Sequence, residues 1–318
     1  MKKSKNCIIT IIIILLLIII TSLIFINKIT IEKINVNNIV YHEGFANILN
    51  LNKSTNIAFA SLMKNPVDLP LWLKYHRDLG IKRFFIRLED SLSWEDYLKD
   101  MDDVVLEIGQ SSKENNYMTL IERQVKYVNE IIKKAREMND IEWLIHIDAD
   151  ELLHGDIDTI NNLPESVKTI KFENAEAVFD ESKRDSCFSS TNFIKCNNRS
   201  QCKSYINGKA GGRVTDDNVI CLGPHDFGYN DTNKNVNKLI PFENLHVLHF
   251  EGCTFGGWVE KYYHLSKNNK SDVPFKYYIE SIEKAKDAYE FYKLNKMQDI
   301  NSFGQNELYK LNSEPIEK

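Results

Sequence analysis

The stretch Trp143–His154, WLIHIDADELLH, decides how this chain is read. An apolar run from Trp143 to Ile147 leads straight into Asp148, Asp150 and Glu151. A short run with no polar alternation is the pattern of a strand buried on both faces of a parallel sheet. Open α/β sheets bind ligands outside the carboxyl ends of their strands. Asp148 and Asp150, two apart just past such an end, can therefore turn toward one ligand. Paired carboxylates repel unless a cation neutralises them. Hard oxygen donors suit Mg²⁺ or Mn²⁺, which complete their shells with water and substrate phosphates. A nucleotide-diphosphate sugar offers such phosphates, and the ion then acts as a Lewis acid on the departing diphosphate. Two other D-x-D triplets, at Asp100–Asp102 and Asp156–Asp158, cap no buried strand and read as solvated loop carboxylates.

Upstream, Ile57 to Met63 is apolar and of strand length. From Leu69 the spacing becomes helical, with Leu69, Trp72, Leu73, His76 and Leu79 on one face and Gly80 as the stop. RFFIRL at 83–88 returns to strand character. Strand, helix, strand over about 30 residues predicts a right-handed βαβ unit and a parallel sheet. DVVLEIG (103–109), a long amphipathic helix from Leu120 to Met138, and EWLIHI (142–147) repeat the pattern.

The remaining features bound the rest. The chain has 318 residues, 43% of them hydrophobic and 27% charged, enough for a sizeable core. A net charge of -5 supplies no basic surface, so nucleic acid is not an expected partner. No charge interrupts Asn6 to Asn27, a length that spans a bilayer. Lys2, Lys3 and Lys5 precede that run and hold the N-terminus on the cytoplasmic side. The expectation is a type II single-pass membrane protein, with residues 1–27 as tail and transmembrane anchor and 28–55 as a stem. Residues 56–265 are the expected catalytic domain, external or lumenal as in the ER or Golgi, and 266–318 a C-terminal helical extension. Sequons at Asn52, Asn198, Asn230 and Asn269 agree with a glycoprotein in a secretory location. Cys187, Cys196, Cys202, Cys221 and Cys253 lack zinc-clip spacing, and one or two disulfides around the 187–202 loop are expected. In the extension, Ile279, Ile282, Ala285, Tyr289 and Tyr292 fall on one side of a predicted helix.

Residues 57 to 265 resemble the GT-A glycosyltransferases, in particular the family 2-like and family 92-like group. KNPVDLPLWLKYHRDLG (64–80) resembles that group's first helix, FFIRLEDS (84–91) its second strand end, and WLIHIDADELL (143–153) its D-x-D strand. HFEGCTFGGWVEK (249–261) is similar to its C-terminal segment, while Pro66 stands where the family commonly has glutamate. The resemblance implies a Rossmann-like mixed sheet flanked by helices and an inverting sugar transfer to a glycan, protein or lipid acceptor. It further implies roles by position: Glu89 or Asp90 on the base or ribose, Asp148 and Asp150 on metal and diphosphate, His249 as third ligand or phosphate contact, and Lys261 on the diphosphate. The plain alternatives are turn carboxylates for Glu89 and Asp90, a core histidine for His249 and a solvated lysine for Lys261. A general base is also needed; Glu251 is favoured, with Asp226, Glu173 and Glu176 as rivals, and His225 competes with His249. The competing function classes are another metal-dependent phosphate enzyme, such as a nucleotidyltransferase or phosphohydrolase, and a non-catalytic surface protein. The first of these is opposed by the glycine-free SLMKNPVD (61–68), because nucleotidyltransferases of similar fold cradle phosphates in a Gly-rich loop.

Overall fold

The computed structural model describes residues 55–66, 68–111, 117–178, 188, 190, 192–196, 202, 206–230, 237–251, 255–267 and 276–295. The expected anchor, the expected stem up to residue 54, Cys7, Cys187 and Cys253 lie outside them, as do three of the four sequons. Asn230, the fourth, is exposed at the end of a strand. Among the described residues no helix is long and apolar enough to cross a membrane.

Seven strands form the main sheet in the order β12-β6-β9-β4-β1-β2-β3. They are β1 (Ile57–Met63), β2 (Arg83–Glu89), β3 (Val104–Gly109), β4 (Trp143–His146), β6 (Thr169–Phe172), β9 (Lys209–Arg213) and β12 (Asn237–Leu239). The β4-β1-β2-β3 half is parallel, as the βαβ pattern predicts. β9 runs antiparallel between β4 and β6 and makes the sheet mixed. The result is a mixed α/β, Rossmann-like arrangement of a large sheet flanked by helices.

β1 shows why both faces are covered. Ile57, Phe59 and Met63 point to one face, where they meet Leu69, Trp72 and Leu73 of α1 (Leu69–Leu79). Ala58, Ala60 and Leu62 point to the other, against Tyr127, Val128, Ile131 and Ile132 of α2 (Tyr117–Met138). Each large side chain removed from water this way contributes about 1.5–3 kcal/mol. The five residues predicted for the inner face of α1 are the five that are buried. Gly80 ends α1 at φ 106, and the Gly80 and Ile81 amides close on the Arg77 and His76 carbonyls; a left-handed residue there favours glycine.

A second sheet has the order β5-β13-β7-β8, with β5 (Glu151–Gly155), β7 (Asn174–Ala177), β8 (Phe193–Lys195) and β13 (Leu245–His249). The chain passes from the main sheet to this one through Asp148–Asp150, between β4 and β5. A β10-β11 hairpin (Val219–Gly223, Asp226–Tyr229) packs against α2 through Val219, Cys221 and Phe227. Cys196 and Cys202 form a disulfide, and Cys221 is a buried free thiol.

Two C-terminal helices follow, α3 (Phe255–Lys267) and α4 (Lys276–Asn295). They share a core of Trp258, Val259, Tyr262, Tyr277, Ile282 and Ala285. The buried stripe of α4 differs from the predicted one: Ile279 is exposed, and Tyr277 and Ser281 are buried. A ring stack between Tyr263 and Tyr289 helps fix that rotation.

Candidate functional site

Asp148 and Asp150 leave β4 in different directions. Asp148 pairs with the protein's own groups: its carboxylate is ion-paired to the Lys209 ammonium and accepts from Gln124 Nε2 at 3.1 Å. Lys209 enters on β9, is fully buried, and lies 3.3 Å from a Glu151 carboxylate oxygen as well. The Glu151 carboxylate also accepts the Asp148 backbone N–H at 2.8 Å, closing the turn. Burial opposes the Lys209 charge, yet the Asp148 and Glu151 carboxylates outweigh it and raise its pKa above the ordinary value. Glu151 is pushed up by burial and by Asp148, against the pull of Lys209.

Asp150, exposed to a similar degree, has different partners. His249 and Glu251, at and just past the end of β13, join it, with one donor atom from each within 4.8 Å of the others. His249 Nε2 is 3.8 Å from Asp150 Oδ2 and 3.4 Å from Glu251 Oε2. The sheet register explains this convergence, because His249 lies opposite Glu151 on β5 and opposite Glu176 on β7. The backbone tightens it: Phe250 N–H donates to the Asp150 carbonyl at 2.9 Å. On the β5 side, Trp72 Nε1 donates to the Glu151 carbonyl at 2.8 Å. Glu176 meets His249 Nδ1 at 2.8 and 2.9 Å. A carboxylate on Nδ1 orients the ring and leaves Nε2 to face the other two donors, the usual arrangement behind a metal-ligating histidine.

Lys261 of α3 completes the group, 2.8 Å from Glu251 and 3.3 Å from Asp150. Burial opposes ionisation of Asp150, but Lys261 and His249 hold its carboxyl well below the usual carboxylate range. Burial also disfavours a charged His249, yet Glu176 and Asp150 raise it well above its ordinary value. Three carboxylates, Asp150, Glu176 and Glu251, thus face one ammonium and one imidazole. That donor set of oxygens plus one imidazole fits Mn²⁺ or Mg²⁺.

The other predicted residues lie elsewhere. Glu89 ends β2 fully buried, with Arg123 Nε 2.9 and 3.1 Å from its two oxygens. Asp90 follows at φ 51, paired to Lys64 at 2.8 Å and to Ser111. The Lys64 and Ser111 hydrogen bonds hold its pKa down, to about 2. Asp226 sits on β11, half-exposed, 2.7 Å from Lys171. Glu173 pairs with Lys195 at 3.6 Å. His225 Nδ1 meets the Gly208 carbonyl at 2.6 Å, and its ring is outside the Asp150 group. Gly208 itself is at φ 59, and a Cβ there would collide with the Phe172 carbonyl, so no side chain is tolerated. Asp100, Asp102 and Asp156 are exposed, as their polar surroundings predict.

Sequence reasoning missed Lys209 and Gln124. It named Glu176 only as a candidate base, where its partner is His249. For Lys209 a signal existed: KAGGRV places one lysine at the head of a small, apolar, strand-length run.

No protein-family model matches the chain, and no curated protein matches it. Among solved structures, HddC from Yersinia pseudotuberculosis matches 60% of this chain and 92% of its own, with 11% identity and a TM-score of 0.33. The same protein complexed with GMP-PN matches at 11% identity and 0.33, over 61% and 93% of the two chains. CMP:2-keto-3-deoxy-manno-octonic acid synthetase complexed with CTP matches 50% of this chain and 75% of its own, at 9% identity and 0.28. Likeness this distant carries no argument about chemistry, which has to come from the side chains.

Proposed function

We propose that this chain is a membrane-anchored, divalent-cation-dependent glycosyltransferase of the GT-A type, moving a sugar from a nucleotide-diphosphate donor to a glycan, protein or lipid acceptor. The observation that carries the reading is the meeting of Asp150, His249, Glu251 and Lys261 beside the carboxyl end of β4. Asp150, His249 and Glu251 would hold Mn²⁺ or Mg²⁺, which when bound neutralises the diphosphate and assists its departure. Lys261, with 36% of its side chain exposed, reaches a diphosphate oxygen from the solvent side. Asp148 stays with Lys209 and fixes the turn that presents Asp150. At the end of β2, exposed Asp90 is the better contact for ribose or base, because Glu89 is sealed by Arg123.

Inverting transfer needs a carboxylate that accepts the acceptor hydroxyl's proton as the new bond forms. Of the four carboxylates considered, Glu251 is taken up by the cation in this reading and Glu176 by His249, which leaves Asp226 and Glu173 as candidates for that base. The anchor at residues 6–27 would hold the domain outside the cytoplasm as a type II membrane protein.

The test is a panel of nucleotide sugars with Mn²⁺, read as nucleoside diphosphate release and as a thermal shift. A donor that binds the native state raises the midpoint by mass action. The expected result is cation-dependent release with a UDP- or GDP-linked sugar. A folded chain that neither shifts nor turns over with any donor contradicts the reading. Resistance of the whole chain to carbonate extraction tests the anchor.

A further inference from the structure

Glu251 differs from its two companions in what surrounds it. Its side chain is 6% exposed. One oxygen accepts the Tyr262 hydroxyl at 2.5 Å and faces Lys261 at 2.8 Å. The other faces His249 at 3.4 Å, with the Tyr278 hydroxyl at 3.5 Å. Lys261 and Tyr262 are consecutive on α3, and Tyr278 belongs to α4. Residue 251 lies two positions past the end of β13, beyond the strand pairing, so these contacts set the carboxylate's direction. Both helices are otherwise held by a core of their own, yet these two hydroxyls, Tyr262 itself buried, are spent on one carboxylate.

We propose that the C-terminal helix pair is part of the cation site, with Tyr262, backed by Tyr278, as positioning residues that aim Glu251 at Asp150 and His249. The inference rests on the reading that these three residues hold a divalent cation. It assigns to the extension a role in building the site, and it couples α3 and α4 to cation occupancy.

The experiment titrates Mn²⁺ alone into the full chain and follows amide hydrogen exchange across 276–295. Removing a side chain that orients a metal ligand typically costs about 10- to 100-fold in affinity. Tyr262→Phe, which keeps the ring, should weaken Mn²⁺ binding by about tenfold with an unchanged melting midpoint, and Tyr278→Phe by about threefold for one weaker hydrogen bond. Mn²⁺ should slow exchange in α4 of the wild type and not of Glu251→Gln. If Glu251→Gln weakens binding while both phenylalanine variants bind like wild type, the positioning role is overturned and the cation site stands. If Asp150→Asn and His249→Ala also bind like wild type, the cation reading itself falls and takes the inference with it. Should Tyr262→Phe fail to fold, Tyr278→Phe and the exchange measurement still decide.

Discussion

The ends of β2 and β4 are built alike and finish differently. In each, a carboxylate at the strand end is consumed by a cation of the protein: Glu89 by Arg123, Asp148 by Lys209. In each, a second carboxylate follows and lies beside an exposed or half-exposed lysine: Asp90 with Lys64, Asp150 with Lys261. The inner pairs are structural, because a buried charge costs several kcal/mol unless it is matched. The outer carboxylates part company. Among the described residues the Asp90 carboxylate meets Lys64 and Ser111, whereas Asp150 meets a histidine and a second carboxylate delivered by β13. The contrast teaches that the D-x-D pair is not a symmetric clamp. One aspartate pairs with Lys209 at the turn, and the other is the one proposed to face the cation.

The largest effect expected from this contrast is on stability. Lys209→Met leaves the buried Glu151 carboxylate and the part-exposed Asp148 without their cation and should cost about 3–5 kcal/mol in denaturant unfolding, as breaking a buried ion pair does. If Lys209→Met unfolds like wild type, the inner pair is not structural. Arg123→Met should cost less, about 1–3 kcal/mol, because Arg87 Nε stands 3.5 Å from Glu89 as a substitute partner.

A third effect concerns acid. Burial drives His76 down to about 3, with a backbone hydrogen bond at Trp72 opposing it, and its Nε2 accepts the Leu153 N–H that fixes β5. Its folded pKa lies below its unfolded value of about 6.5, so the stability it contributes is complete above pH 6.5 and lost as pH falls toward 3. At pH 5 the loss amounts to about 2 kcal/mol relative to pH 7. His76→Gln, which keeps an acceptor for Leu153, should lose that much less between pH 7 and pH 5 in urea melts. An equal loss in both proteins would place the acid sensitivity elsewhere.

The smallest structural effect belongs to Asp90→Asn. Its ion pair with Lys64 is largely solvated and is worth about 0–1 kcal/mol. Stability should hardly change while donor KM rises, and an unchanged KM would remove Asp90 from the nucleotide site.

Much of this frame was legible from residue order. β1, α1, β2 and β4 follow from local periodicity, and Trp72 and His76 were predicted for the buried face of α1. The D-x-D turn was legible because it follows a nearly continuous apolar strand. What escaped depends on long-range pairing. β9 lies antiparallel between β4 and β6, so Lys209 reaches Asp148 only through a register that no local window contains. Glu176 meets His249 because β7 and β13 are parallel neighbours, about 70 residues apart in sequence. The stripe of α4 is misplaced by periodicity alone, since Tyr277 and Ile279 both suit an apolar face and only packing against α3 selects Tyr277.

The central claim is that Asp150, and not the D-x-D spacing as such, holds the cation. It is tested most directly by Mn²⁺ binding to the folded chain, comparing wild type with Asp150→Asn and Asp156→Asn. Asp156 belongs to an exposed triplet of the same spacing. Asp150→Asn should weaken binding by about 100-fold or more, about 2.7 kcal/mol, with the fold intact, and Asp156→Asn should bind like wild type. Wild-type Mn²⁺ affinity in Asp150→Asn, or an equal loss in Asp156→Asn, would contradict the account.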